Sequence, residues 1–94
     1  PPLVAEVRRL LLDHLQDHYS LYGELTGVRS ARKHIAWYTH GLFDANAFRQ
    51  AMYQLDSTAA QRAAVARYFD QLAGQSERLD YNAGHHQPDV DIQP

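Results

Sequence analysis

The sequence predicts an all-α fold, a small bundle of about four helices followed by a flexible C-terminal tail. Apolar residues recur at steps of three and four through residues 4–73, and no segment keeps the two-residue alternation of a strand. Glycines and capping residues separate these segments, and short connections favour a compact bundle. A chain of 94 residues, 45% of them apolar, suits one domain. We therefore assign residues 1–74 to a helical domain and residues 75–94 to a tail that we expect to be mobile.

The first two helices are predicted near residues 4–22 and 28–40. One arc of the first carries Val4, Val7, Leu11, Leu15, His18 and Tyr22. Gly23 and Gly27 bracket the end of this helix. Ala31, Ile35, Tyr38 and Leu42 stack along the second, and Gly41 is placed to stop it.

Two further helices are predicted near residues 45–55 and 58–73. Asp44 is a candidate N-cap of the third helix, and Thr58 with Gln61 has the spacing of a capping box at the start of the fourth. The fourth helix should end at Gly74. Beyond it the sequence is polar and has no period, so only Leu79 or Tyr81 is expected to dock on the bundle.

Composition limits the classes of function. Cysteine is absent, which excludes disulfides, thiolate zinc sites and a cysteine nucleophile. No apolar run approaches the roughly 20 residues that span a bilayer, and no secretory cleavage pattern opens the chain, so we expect a soluble, cytoplasmic protein without membrane contact. We also expect a monomer. The net charge of -2 means that any binding of nucleic acid must depend on a local patch.

Such a patch occurs in the second predicted helix. Arg29, Arg32 and Lys33 place three of the nine basic residues within five positions. At about 100° per residue, Arg29 and Lys33 share the face away from the core with Trp37 and His40, and Arg32 lies between the two faces. One interpretation is an ordinary solvated face. The other is an anion-binding face, since cations beside an exposed aromatic ring are typical of RNA-binding surfaces.

Histidine pairs raise the question of a metal. His14 and His18 have the four-residue spacing of a helical chelate, but they lie on or beside the apolar arc, which favours helix packing. His85 and His86 are adjacent in the predicted tail and fall short of a zinc site. We therefore predict no metal site in this chain. No serine nucleophile arrangement or phosphate-binding glycine loop is visible either, and we assign the chain no catalytic or cofactor-binding group.

The segment "YGELTGVRSARKHIAWYTHGL", followed by Phe48–Arg49 and a late "YFDQLAG", carries a resemblance to a known family. It resembles the C-terminal helical domain of bacterial tRNA-dihydrouridine synthases, most closely the B-type subfamily. The similarity covers about residues 4–74, and its most specific part is Arg32-Lys33-His34 followed by Trp37-Tyr38.

The resemblance implies a function for the patch. Members of the family join an FMN-bearing β/α barrel, which reduces a uridine in tRNA with electrons from NADPH, to a helical domain that helps to hold the tRNA. FMN and NADPH are thus implied for a barrel that this chain lacks, and the chain alone is not expected to be catalytic. The implied tRNA contacts are Arg29, Arg32, Lys33, His34 and Trp37, with Arg8, Arg9 and Arg49 as weaker candidates. The alternative is a protein-docking bundle without nucleic-acid binding.

Overall fold

The structure, a computed structural model, describes residues 1–83 and confirms the all-α prediction. Four helices follow one another along this part of the chain: α1 Val4–Tyr22, α2 Glu24–Thr39, α3 Ala45–Met52 and α4 Thr58–Gln75. The tail was predicted over residues 75–94, and its residues 84–94, with His85 and His86, lie outside the described residues.

The bundle is organised around α1, which packs along both α2 and α4. Side chains at helical spacing on each helix meet in one core. Its fully buried apolar members include Leu11, Leu15, Ile35, Met52, Val65 and Phe69. The outward face of α2 is thus held in place by an apolar inner face, since Ile35 and Ala31 are both completely buried.

The corner between α1 and α2 is tighter than predicted. Gly23, with φ 81°, alone separates the two helices, and α2 begins at Glu24 rather than near residue 28. Gly27 therefore lies inside α2 instead of marking the end of α1. A Cβ atom at Gly27 would lie 3.3 Å from Tyr19 Cδ1, so the missing side chain lets α2 approach α1 closely at this point.

A buried polar contact joins three helices. The hydroxyl of Tyr19 on α1 donates to Oε1 of Gln61 on α4, and Nε2 of Gln61 donates to the carbonyl oxygen of Val28 on α2 at 3.0 Å. The capping-box prediction for Gln61 was therefore wrong. Ser57 is the N-cap of α4 and accepts from the amide of Ala60 at 3.1 Å, because it precedes the first helical residue while Gln61 faces the core.

The third helix is shorter than predicted. Asp44 occupies the N-cap position, but it has a left-handed conformation and its side chain makes no capping hydrogen bond. The helix ends at Met52, and tighter turns continue to residue 55, where the amide of Leu55 donates to the Met52 carbonyl at 3.1 Å. Gly41, with φ 83°, follows α2 as the predicted stop.

Residues 76–83 return to the start of the chain. The amide of Leu79 donates to the carbonyl of Pro2 at 2.9 Å, and Leu3 pairs with Arg78 in an isolated antiparallel β-bridge. Leu79 is 3% exposed, which confirms its predicted docking, whereas Tyr81 remains 40% exposed.

Candidate nucleic-acid interface

The outward face of α2 presents cations beside an aromatic ring. Arg29, Lys33 and Trp37 of α2 and His40, the residue that follows the helix, are all exposed, and Trp37 is 77% accessible. Trp37 stands edge to face against Tyr38, with ring centroids 5.6 Å apart, which supports the indole from one side. We call Arg29, Lys33, Trp37 and His40 the basic face. Its free indole plane can stack on a base or a sugar, and its cations can neutralise phosphates.

A groove of about 450 Å³ adjoins the basic face. It is open to solvent and is lined by Arg32, Lys33, Ala36, Trp37, His40 and Tyr53. Tyr53, the residue after α3, was missed by the sequence analysis. Only its aromatic character could have signalled it, because its position depends on how α3 packs against α2.

Arg32 is held at the edge of this groove. Its Nη2 atom donates to the carbonyl oxygen of Leu55 at 3.2 Å and lies 3.8 Å from Oδ1 of Asp56. The side chain of Asp56 is 94% exposed, so this ion pair contributes at most about 1 kcal/mol to stability. Arg32 therefore anchors the α3–α4 connection as well as contributing charge to the groove.

His34 does not join the basic face. It lies on the side of α2 that meets α1, with its ring centroid 5.0 Å from that of His14 and 5.2 Å from that of His18. Burial, and secondarily the nearby His34 and His14, lower the pKa of His18. The structure thus separates His34 from the cations with which the sequence grouped it.

The weaker candidates are distributed over other surfaces. Arg8 pairs with Asp70 at 3.1 Å and its Nε donates to the Ala66 carbonyl at 3.4 Å, so it links α1 to α4. Arg9 is exposed on α1, and Arg49 is partly buried on α3. None of these three arginines lines the groove beside the basic face.

The family model for dihydrouridine synthases matches residues 1–73. The chain belongs to the dihydrouridine synthase family. It is 47% identical over 72 residues to tRNA-dihydrouridine synthase B of Shewanella oneidensis, an alignment that covers 77% of this chain and 22% of that protein.

Further relatives carry the same description. The enzyme from Pseudomonas syringae pv. tomato is 45% identical over 67 residues, with 71% of this chain and 20% of the relative covered. The Klebsiella pneumoniae protein is 36% identical over 74 residues, covering 78% and 23%. The chain therefore spans about a fifth of the length of the curated relatives it matches. No solved structure matches it.

At three places on the surface of residues 1–83, grooves of about 390 to 450 Å³ open broadly to solvent. A ligand of the size of FMN is normally enclosed by its pocket over most of its surface. These grooves therefore do not fit FMN. Separately, no helix within residues 1–83 is long and apolar enough to cross a membrane.

Proposed function

We propose that this chain is the tRNA-binding helical domain of a B-type tRNA-dihydrouridine synthase. The observation that carries the proposal is the basic face, where Arg29, Lys33 and Trp37 follow one another at four-residue steps along α2 and Trp37 is 77% exposed. Apart from Glu24 in its first turn, α2 carries no acidic residue, so the field of these cations is little neutralised along their own helix. The family assignment and the names of the relatives support tRNA as the ligand.

In this proposal the basic face holds the tRNA backbone. Arg29, Lys33 and the free edge of Arg32 contact phosphates, and Trp37 packs on a sugar or a base in the adjoining groove. Arg32 is the most rigid of the three cations because its guanidinium is already held by the Leu55 carbonyl. His34 plays no direct part in this contact, since it faces α1.

The chemistry belongs to the rest of the enzyme. FMN reduced by NADPH would supply hydride to the uridine in a barrel domain. The present chain contributes only tRNA binding. Its proposed partners are therefore tRNA and that barrel, and we propose that the domain itself is monomeric and cytoplasmic.

Titration with folded tRNA at two salt concentrations tests the proposal. If three phosphates are contacted, affinity should fall roughly 20- to 40-fold between about 50 and 200 mM salt, because each neutralised phosphate releases counterions. Arg29→Ala should weaken binding and reduce the salt dependence. Arg67→Ala is the matched control, since Arg67 is also an exposed helical arginine but lies on α4. Equal binding by both variants would remove the basic face from the interface.

A second candidate function is protein docking. Three large apolar side chains are exposed at the corner of α1 and α2: Leu21 at 74%, Tyr22 at 52% and Leu25 at 61%. An apolar surface of this kind suits contact with another protein domain. Contact through it would be nearly indifferent to salt, so absence of tRNA binding at about 50 mM salt would favour this candidate.

A further inference from the structure

Three histidines from two helices converge on the surface. His14 and His18 lie one turn apart on α1, with their rings stacked at a centroid separation of 6.1 Å, and His34 of α2 stands edge-on to both. One ring nitrogen from each histidine lies within 4.8 Å of one from each of the others. These three residues, which we call the histidine cluster, are on the opposite side of α2 from Arg32.

The spacing of these nitrogens is close to that of a metal site. Tetrahedral zinc with bonds of 2.0–2.1 Å places its ligand nitrogens about 3.3 Å apart. The rings would have to close by about 1.5 Å at most relative to the observed limit of 4.8 Å. His14 and His34 are exposed, and so they can make this adjustment by side-chain rotation without disturbing the core.

A chain of hydrogen bonds orients His18. The hydroxyl of Ser30 donates its only hydrogen to the carbonyl of Thr26 at 2.7 Å. The Ser30 oxygen therefore accepts a hydrogen bond from Nε2 of His18, which lies 2.6 Å away. His18 then carries its proton on Nε2, and the lone pair available to a metal is on Nδ1. Outer hydrogen bonds of this kind fix the tautomer and orientation of metal-binding histidines.

We propose that His14, His18 and His34 form a binding site for a divalent transition-metal ion of the zinc class, linking α1 to α2. Imidazole ligands favour zinc, copper and nickel over magnesium and calcium, which prefer oxygen. Three protein ligands leave a fourth position for water or for an oxygen of another molecule. The site supplements a core that is already closed, so folding does not depend on it.

This site lies outside the basic face and does not depend on the proposed function. The sequence analysis assigned His14 and His18 to packing because they lie on or beside the apolar arc of α1. His34 supplies the third ligand only when α2 is docked against α1. Metal binding by all three histidines therefore requires that α1 and α2 are packed together.

Calorimetric titration with Zn²⁺ tests the proposal. All proteins should carry His85→Gln and His86→Gln, which removes the other histidine pair of the sequence from the titration. In this background we expect one Zn²⁺ per chain, a higher melting temperature with Zn²⁺, and no effect of Mg²⁺. His34→Gln and His14→Gln should each weaken binding at least about tenfold, since even loss of an outer-shell partner costs metal sites about 10- to 100-fold.

His40→Gln is the matched control. It removes the remaining histidine of the chain, which is also exposed and directly follows α2 but lies outside the histidine cluster. The control should bind Zn²⁺ as the background does. If Zn²⁺ does not bind at millimolar concentration, or if His14→Gln and His34→Gln bind as tightly as His40→Gln, the proposal is overturned. Circular dichroism of each variant checks that the helices are retained.

Discussion

The carboxylate of Glu24 in the first turn of α2 binds Thr58, the first residue of α4. Oε2 accepts from the Thr58 amide at 2.8 Å, and Oε1 accepts from the Thr58 hydroxyl at 3.0 Å. The first amides of a helix have no partner within it, and an anion at that end is favoured by the helix dipole. Glu24 therefore acts as a second cap of α4, supplied by another helix.

Replacing Glu24 by Ala should lower the free energy of unfolding by about 0.5–2 kcal/mol, the range observed for loss of a capping side chain. Urea unfolding followed by circular dichroism measures this change. Glu6→Ala is the control, because Glu6 is also acidic, exposed and in the first turn of its helix. Equal losses for the two variants would contradict a specific role of the Thr58 contact.

Gly27 and Gly74 should respond differently to a methyl group. Gly to Ala within a helix normally stabilises by up to about 1 kcal/mol. A Cβ atom at Gly74 would meet nothing within 4 Å, whereas one at Gly27 would lie 3.3 Å from Cδ1 and 3.4 Å from Cα of Tyr19. We expect Gly74→Ala to raise the melting temperature. The Gly27→Ala variant should melt at a lower temperature than the Gly74→Ala variant. Equal gains would show that α1 yields freely at this contact.

Tyr19 should make the protein sensitive to alkaline pH. Burial, partly offset by Arg62 and reinforced by Glu24, raises the pKa of Tyr19 to about 12 from its ordinary value of 10.0. Because the folded-state pKa is the higher one, this contribution to stability is complete below pH 10 and is lost as pH rises toward 12. Urea unfolding between pH 8 and pH 12 measures the decline.

The Tyr19→Phe variant provides the comparison for this pH dependence. It should be less stable at neutral pH by about 1–3 kcal/mol, because Oε1 of the buried Gln61 loses its donor. It should also lose less stability than the parent between pH 10 and pH 12. A parallel decline in the two proteins would assign the alkaline effect to other groups, such as Tyr68, whose pKa burial also raises.

Substitutions of Lys33 and Ile35 should distinguish residues that bind tRNA from residues that stabilise the fold. Lys33→Ala should reduce the salt exponent of tRNA binding by about one and leave helix content intact, because the side chain is exposed and Ala is a good helix former. Ile35→Ala should instead destabilise the fold by about 2–5 kcal/mol, since Ile35 is completely buried. Unchanged tRNA binding by Lys33→Ala at every salt concentration would reduce the basic face to a solvated surface.

Helical periodicity was enough to predict the four helices and the core, because burial of one face is a local property of each segment. The start of α2 was harder, since a glycine in a helix is locally unfavourable and only the packing of Tyr19 against Gly27 explains it. Ser57 and Thr58 are both good caps, and the sequence alone did not distinguish them. The helix bounds depended on contacts made by other helices.

In the candidate site, too, features of a single helix were predictable from the sequence, whereas contacts between helices were not. The outward direction of Arg29, Lys33 and Trp37 follows from their angles on one helix, and the structure places them as predicted. His34 was grouped with these cations because the resemblance implied a shared role for Arg32-Lys33-His34. Its contact with His14 and His18 depends on the mutual rotation of two helices, which the sequence of α2 does not encode by itself.

The pairing of Leu3 with Arg78 places the two ends of the bundle side by side, with the Leu79 amide on the Pro2 carbonyl. The helices could therefore keep the same packing if the chain began and ended at a different position. A short linker between residues 79 and 2 would close the bundle into a ring, and new ends could open in the exposed corner at Gly23. A circularly permuted chain from Gly23 to Tyr22 would keep every helix whole and present the basic face close to its own N-terminus.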